Sequence, residues 1–269
     1  MPDAISLGPI MLSLDRLVAI ALIWGFLAGA AGLVKRERRA VHSAPWLAVL
    51  AGLLGARATY VAAHWDAFRL DPLSVLHIWQ GGFFPLIGMV CAAGALALRL
   101  GNGRALWRSV ALLAAAGLLW QGYDAAKDAR PRPPFPQGIR VTTPGGSSLD
   151  LDALQNRPFV VNLWATWCAP CRREMPMLID VAAKTPNIPI LLVNQGEHAD
   201  LIRRFLETER LSGRNIYSDR GATLMRAAGA QGLPATLFVG ADGRIRDIHL
   251  GELSRAALVA GITALESEP

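Results

Sequence analysis

Hydrophobic positions are arranged differently in the two halves of the chain. Up to residue 124, apolar runs long enough to cross a bilayer alternate with short polar loops. The first run holds 18 uncharged residues, and a basic cluster follows it, so we predict a retained span and not a cleaved signal peptide. The predicted spans are residues 17–34, 45–64, 75–98 and 105–123.

After residue 138 the apolar runs shorten to strand length and alternate with helical patterns, which predicts an α/β domain. Asp242-Gly243 predicts a hairpin turn, and Ser254 is expected to cap the last helix. The predicted strands are 158–164, 188–194, 235–240 and 244–249, and the predicted helices are 169–184, 198–211, 220–228 and 254–266.

A proline-rich segment at 129–136 separates the two halves. It cannot be helical, and at about 3.1 Å per residue an extended polyproline conformation would make a semi-rigid stalk of roughly 20–25 Å. We therefore predict a multi-domain chain, with a four-helix transmembrane region at 1–124, a linker at 125–137 and an α/β domain at 138–269.

The net charge of +6 belongs entirely to the apolar half. Residues 1–137 contain 13 Lys and Arg against 7 Asp and Glu, whereas the remainder contains 14 of each. Basic residues that flank apolar runs are a topology signal, and they do not form the folded basic face that binds nucleic acid. The basic loops at 35–43 and 99–108 predict a cytoplasmic location for those loops, so the α/β domain is expected in the periplasm, beyond a bacterial inner membrane. We expect contact with membrane lipid and no nucleic-acid partner.

The candidate chemistry lies in the motif Cys168-Ala-Pro-Cys171, directly after a predicted buried strand. Both cysteines fall at the N-terminus of a predicted helix, where unpaired N–H groups and the helix dipole favour negative charge. The thiolate, which is the form that attacks a disulfide, is stabilised there. We predict thiol–disulfide exchange, with Cys168 as the exposed attacking sulfur and Cys171 as the resolving one.

Half of a zinc site and a structural disulfide are the alternatives for this motif. Zinc usually needs four ligands. The remaining cysteine, Cys91, lies in an apolar run, and neither His198 nor His249 stands in a ligand-like pair. We therefore expect no metal and no cofactor, and we expect Cys91 to be a packing residue.

Residues 162–176, Asn-Leu-Trp-Ala-Thr-Trp-Cys-Ala-Pro-Cys-Arg-Arg-Glu-Met-Pro, resemble the active-site strand and helix of the membrane-tethered TlpA and ResA thiol–disulfide reductases. Residues 233–239, Leu-Pro-Ala-Thr-Leu-Phe-Val, resemble the strand that begins with that family's cis-proline. The resemblance extends from residue 139 to the C-terminus. It implies a thioredoxin fold, protein disulfide substrates and a separate transmembrane thiol relay as the electron donor. Cytosolic thioredoxins carry a buried aspartate where this chain has Asn162.

The same resemblance implies the site residues. It assigns catalytic roles to Cys168, Cys171 and Glu174, and substrate contacts to Trp167, Leu233 and Pro234. A partly buried Glu174 carboxyl would have a raised pKa and could exchange protons with Cys171 as the disulfide opens. An exposed helix glutamate is the alternative.

Part of the N-terminal half resembles prolipoprotein diacylglyceryl transferase, over about residues 14–98. The matching residues are Gly55-Ala-Arg57, Tyr60-Val61, Asp71-Pro-Leu73 and Ile78-Trp-Gln-Gly-Gly82. The Ser-Phe-His-Gly-Gly segment of that family is missing, so we expect a degenerate anchor and not an active transferase. Arg57 lies inside a predicted span, where an arginine either has a function or extends its head to the lipid headgroups.

The sequence does not fix the direction of electron flow. The uncharged dipeptide between the cysteines and the nearby Glu174 favour a disulfide reductase. A net oxidant, a lipoprotein transferase and a non-catalytic adaptor that senses redox state are the alternatives.

Overall fold

The computed structural model of the chain describes residues 4–7, 10–34 and 43–267. The basic cluster at 35–39, which contributes to the predicted topology, lies outside the described residues. The chain divides into two compact units, one formed mainly by residues 12–130 and the other mainly by residues 131–267.

The N-terminal half begins with a two-stranded sheet and continues with helices joined by short turns. The strands are β1, Ala4–Leu7, and β2, Ile10–Ser13. The helices are α1, Leu14–Val34; α2, Ala44–Ala63; α3, Trp65–Phe68; α4, Pro85–Leu100; and α5, Arg104–Asp128. Within this half α1 and α5 are joined by Asp15, which accepts hydrogen bonds from the Tyr123 hydroxyl (2.7 Å) and the Lys127 ammonium (3.2 Å).

Two helices of the described residues are long and apolar enough to cross a membrane, Leu14–Leu33 and Ala44–Ala63. The third span, predicted at 75–98, is wrong at its start. The chain forms short 3₁₀ turns at Pro72–Leu76 and Ile78–Gln80, and α4 begins only at Pro85. Gly81 and Gly82, with φ of 77° and 81°, end the turns in a conformation that side chains disfavour. The helix predicted at 105–123 is present as α5, but it is not among the two apolar candidates. Four spans are therefore not shown.

Arg57 is buried, and its guanidinium contacts main-chain carbonyls. Its Nη2 donates to Ser74 O at 2.8 Å, Nη1 to Gly82 O at 3.0 Å, and Nε to Val75 O at 3.2 Å. The alternative in which the head extends toward lipid headgroups is therefore wrong, because the guanidinium turns inward to brace the loop before α4. Cys91 packs against Gly55, where a Cβ atom would collide with its sulfur.

The C-terminal unit is a seven-stranded sheet with helices on both faces. Its strands are β3, Arg140–Thr142; β4, Ser148–Asp150; β5, Phe159–Trp164; β6, Ile190–Gln195; β7, Ile216–Asp219; β8, Ala235–Val239; and β9, Ile245–Leu250. Its helices are α6, Ala169–Lys184; α7, Ala199–Thr208; α8, Thr223–Ala227; and α9, Arg255–Ser267.

Strand β5 lies near the centre of this sheet, in the order β4-β3-β7-β6-β5-β8-β9. It pairs in parallel with β6 and antiparallel with β8. All six of its residues are buried, because alternate side chains enter different cores: Val160 and Trp164 lie in the core with α6, and Val161 and Leu163 in the core on the opposite face. A strand covered on both faces therefore reads as a continuous apolar run.

The four predicted strands and the last helix are confirmed within a few residues. The Asp242-Gly243 turn joins β8 to β9, and Ala257 N donates to the Ser254 hydroxyl at the start of α9. Strands β3, β4 and β7 are not among the four strands predicted from the sequence. The helices predicted at 198–211 and 220–228 are shorter, at Ala199–Thr208 and Thr223–Ala227.

The prediction of a semi-rigid stalk at 129–136 is wrong from Pro133 onward. Phe135 N donates to Gly243 O at 2.8 Å, and Ile245 N donates to Pro133 O at 2.9 Å. The Phe135 ring is 7% exposed and meets Phe159 edge-on with ring centroids 5.1 Å apart. A proline cannot donate a hydrogen bond to a sheet edge, but its carbonyl oxygen can accept one. Burial of the apolar Phe135 ring stabilises the packing of this segment against the sheet.

Candidate active site

The two cysteines of the Cys-x-x-Cys motif are joined in a disulfide at the start of α6. Cys168 is the N-cap residue, and its sulfur accepts a hydrogen bond from Cys171 N at 3.3 Å. Pro170, in the first turn, needs no main-chain donor there. Strand β5 ends four residues before Cys168, so the buried strand carries the motif to the edge of the sheet.

The prediction that Cys168 is an exposed sulfur is wrong for this disulfide state. Cys168 is 4% exposed and Cys171 is fully buried. The physical reason is that the Cys168 sulfur points into the first turn of α6 and joins the core on that face. Of the two cysteines, Cys168 is still the more accessible residue.

The three residues predicted to contact substrate lie around this disulfide. The Trp167 side chain is 72% exposed immediately before Cys168. Leu233 is half-buried and packs against the core that includes both cysteines. Pro234 is buried and follows a cis peptide bond. Because Leu163 of β5 pairs with Ala235 of β8, Pro234 lies at the end of β5 from which the cysteine loop departs.

Glu174 is buried on α6, one helical turn beyond Cys171 and on the same face. One carboxylate oxygen accepts from Asn162 Nδ2 at 2.9 Å, and the other accepts from Leu253 N at 2.9 Å. Burial raises the pKa of Glu174 from 4.5 to about 7, although both hydrogen bonds oppose the rise. The alternative of an exposed helix glutamate is wrong, and the carboxyl is poised to change protonation near neutral pH.

Asn162 occupies the centre of β5, where it supports Glu174. Its amide nitrogen donates to Glu174 and to the Thr236 hydroxyl at 3.0 Å. An asparagine amide does not titrate in this range, so it holds the carboxyl in place without competing for its proton. The titratable carboxyl beneath the disulfide is thus on α6 and not on β5.

The two arginines that follow Cys171 both form ion pairs. Arg172 pairs with Glu209 at 2.5 Å, and Arg173 pairs with Glu252 at 2.6 Å. From their place directly after Cys171 in the sequence, these arginines could supply positive charge near the sulfurs or belong to the solvated rim. Each arginine side chain is about half exposed and is neutralised by a partner, so neither is an isolated positive charge at the sulfurs.

Two buried glutamates were missed from the sequence. Glu252, in the loop before α9, is 8% exposed. Glu197 accepts from Thr166 N at 2.8 Å, from the Thr166 hydroxyl at 2.6 Å and from Asn194 Nδ2 at 2.6 Å. Glu197 thereby fixes the loop before the cysteines. The position of Glu197 just after a strand parallel to β5 was the available signal, since the carboxyl ends of parallel strands share one edge of the sheet.

Comparison with known proteins relates the C-terminal half to thiol–disulfide proteins. The Redoxin family profile matches residues 126–262. The thiol:disulfide interchange protein DsbE of Pseudomonas fluorescens is 33% identical over 140 residues, covering 50% of this chain and 77% of that protein. The thiol-disulfide oxidoreductase ResA of Halalkalibacterium halodurans is 32% identical over 111 residues, covering 40% of this chain and 62% of its own length.

Among solved structures, a secreted Mycobacterium tuberculosis disulfide oxidoreductase homologous to E. coli DsbE matches with a TM-score of 0.43 and 25% identity, covering 47% of this chain and 96% of its own. The resemblance of residues 14–98 to diacylglyceryl transferases is not supported by these comparisons.

Proposed function

The chain belongs to the Redoxin family, and we propose that it is a membrane-anchored protein disulfide reductase that works through Cys168 and Cys171. The observation that carries this proposal is the disulfide at the N-terminus of α6 with the buried carboxyl of Glu174 one turn behind it. Relatives with 32–33% identity are a thiol-disulfide oxidoreductase and a thiol:disulfide interchange protein, which supports exchange chemistry for this pair.

The proposed reaction begins with the reduced pair. The Cys168 thiolate attacks one sulfur of a client disulfide, forms a mixed disulfide and expels the other client sulfur as a thiolate. Cys171 then loses its proton and attacks the Cys168 sulfur, which breaks the mixed disulfide and releases the second client thiolate. Two electrons pass from the cysteine pair to the client, and the pair ends as the Cys168–Cys171 disulfide.

Glu174 is proposed to take the proton from Cys171 in the second step. Cys171 is fully buried, so water has poor access to its thiol. A carboxyl whose pKa is about 7 is partly ionised at neutral pH and can accept that proton, then return it when the disulfide is next reduced. The exposed Trp167 and the Leu233–Pro234 segment are proposed to contact the client chain beside Cys168.

The reducing direction is proposed from the surroundings of the attacking sulfur. The Ala169-Pro170 side chains supply neither a charge nor a hydrogen-bond donor that would stabilise a Cys168 thiolate strongly. An ionised Glu174 nearby would disfavour a thiolate. A less stable thiolate makes the reduced pair a better electron donor.

Anchoring and location are also proposals. The apolar helices α1 and α2 support insertion of the N-terminal half into a bacterial inner membrane, with up to four spans and with the C-terminal domain in the periplasm. A periplasmic reductase needs electrons from the cytoplasm. Because Cys91 is a single cysteine outside the pair, we propose that a separate transmembrane thiol relay recharges the disulfide.

Trapping of mixed disulfides tests the exchange mechanism. We expect Cys171→Ser to accumulate client proteins linked through Cys168 on non-reducing gels, because the second attack is lost, and Cys168→Ser to form no such species. Cys91→Ser is the matched control, since its sulfur packs against Gly55, and it should behave as the unmodified chain. Trapping through Cys171 in the Cys168→Ser variant would reverse the assigned roles.

A further inference from the structure

A second buried carboxylate lies next to Glu174. Glu252 is 8% exposed, and the residue after it, Leu253, donates its N–H to the Glu174 carboxylate. A buried carboxylate this close to Glu174 opposes ionisation of the Glu174 carboxyl. Glu252 is therefore the neighbour best placed to keep a proton on Glu174.

The residue before Glu174 supplies the opposite charge. Arg173 donates to one oxygen of Glu252 from both Nη2, at 2.6 Å, and Nε, at 3.1 Å. The Arg173 side chain is 56% exposed, whereas that of Glu252 is 7% exposed. Water screens the charge of the arginine more than the charge of the glutamate. The two charges therefore do not cancel completely in their effect on Glu174.

We propose that Arg173 and Glu252 are positioning residues that act through Glu174: Glu252 retains the proton on Glu174, and Arg173 limits this effect by pairing with Glu252. This inference rests on the proposed proton transfer between Glu174 and Cys171. The ion pair would then decide at which pH the resolving step becomes fast, because only the ionised Glu174 can accept the Cys171 proton.

The groups around Glu174 in the described part of the chain support this assignment. Its hydrogen-bond partners, Asn162 from β5 and the main chain of Leu253, are uncharged. The charged side chains that act on it are Glu252, which raises its pKa, and Arg173, which lowers it. The thiols of Cys168 and Cys171 become titratable once the disulfide is reduced. His249 also lies near this cluster, with its Nε2 3.4 Å from the main-chain oxygen of Glu252.

The resolving step can be isolated with the full chain in detergent. One equivalent of an aromatic disulfide reagent is mixed with the reduced protein, so that Cys168 forms a mixed disulfide and releases one coloured thiolate. Attack by Cys171 then releases the second. The rate of the second release, measured by stopped-flow absorbance across pH 5 to 9, should rise through a midpoint that Glu174→Gln abolishes.

The charge variants should move this midpoint in opposite directions. Glu252→Gln removes the repulsive charge, so the midpoint should fall by about one pH unit. Arg173→Met removes the attractive charge, so the midpoint should rise by a smaller amount, since Arg173 is more solvated. The double variant should lie between the two single variants, and Arg173→Lys should restore the original midpoint.

The Asp180–Arg255 pair provides a matched control. It joins the same helix to the start of α9 at 2.6 Å, but Asp180 lies nearly two turns beyond Glu174. Asp180→Asn and Arg255→Met should leave the midpoint unchanged. If Glu252→Gln and Arg173→Met slow release equally at every pH without moving the midpoint, the pair has only a structural role and the inference is wrong.

These variants distinguish failure of the roles assigned to Arg173 and Glu252 from failure of the proposed proton transfer by Glu174. If the Glu174-dependent midpoint exists but none of the ion-pair variants moves it, only the inference about Arg173 and Glu252 fails. If Glu174→Gln leaves the pH profile unchanged, the proposed proton transfer fails and the inference falls with it. Circular dichroism of each variant separates loss of folding from both outcomes, and the Arg173→Lys variant preserves the test if Arg173→Met does not fold.

Discussion

The buried carboxyl of Glu174 makes the stability of the oxidised C-terminal unit depend on pH in an unusual direction. In the unfolded chain its pKa takes the ordinary value of 4.5, and in the folded chain burial raises it to about 7. Between these values the folded carboxyl retains its proton while the unfolded one loses it. The stabilisation that results from this difference in pKa is fully present below pH 4.5 and is lost as the pH rises through about 7.

The magnitude follows from the difference between the two pKa values. Each pKa unit corresponds to about 1.4 kcal/mol, so Glu174 should cost about 3 kcal/mol of unfolding free energy above pH 8 relative to pH 4.5. Glu174→Gln cannot ionise and removes this dependence. The NH2 group of the glutamine cannot accept a hydrogen bond, whereas both oxygens of the carboxyl can, so one of the bonds from Asn162 and Leu253 is lost, at about 1 kcal/mol. The variant should therefore be less stable at pH 4.5 and more stable, by about 2 kcal/mol, at pH 8.

Urea unfolding of the oxidised full chain in detergent measures this difference. Trp164 is fully buried in the C-terminal unit, so its fluorescence reports the unfolding transition. Other carboxyl groups contribute equally to both proteins, and their effects cancel in the comparison. If plots of unfolding free energy against pH for the unmodified chain and for Glu174→Gln run parallel without crossing, the raised pKa of Glu174 is refuted.

Two further measurements test direction and topology. We predict that the Cys168–Cys171 pair equilibrates with glutathione at a potential below about −200 mV, nearer to thioredoxin at about −270 mV than to the oxidant DsbA at about −120 mV, and a value near the latter would make the protein an oxidant. In intact spheroplasts a tag at residue 40 should be protected from protease while the C-terminal domain is digested, and an accessible tag would contradict the predicted orientation.

Features that depend on a few neighbouring residues could be predicted from the sequence. The disulfide motif at a helix start, the buried strand before it and the Asp242-Gly243 hairpin are each set by backbone preferences and apolar patterning within one turn or strand. The sequence also placed Glu174 on the helix that carries the cysteines, because helical spacing alone puts it one turn beyond Cys171.

The third predicted span and the linker show where predictions from local sequence patterns fail. The apolar run at 75–98 is long enough for a span, yet Gly81 and Gly82 turn the chain and Arg57, distant in sequence, binds the carbonyls of that loop. The proline-rich segment has the sequence pattern of a semi-rigid stalk. In the structure, however, the Phe135 ring packs against Phe159, and the Pro133 carbonyl accepts a hydrogen bond from Ile245 N.

The protonation state of the site was decided only by the tertiary structure. Glu174 is buried by partners 12 and 79 residues away, Asn162 and Leu253, and its charged neighbour Glu252 arrives from the loop before the last helix. Sequence spacing identifies which residues share a helix face, but a pKa depends on the water that is excluded and on the charges brought close in space. The sequence alone was therefore sufficient to locate the reactive sulfurs, and folding was needed to set the electrostatic surroundings of the carboxyl behind them.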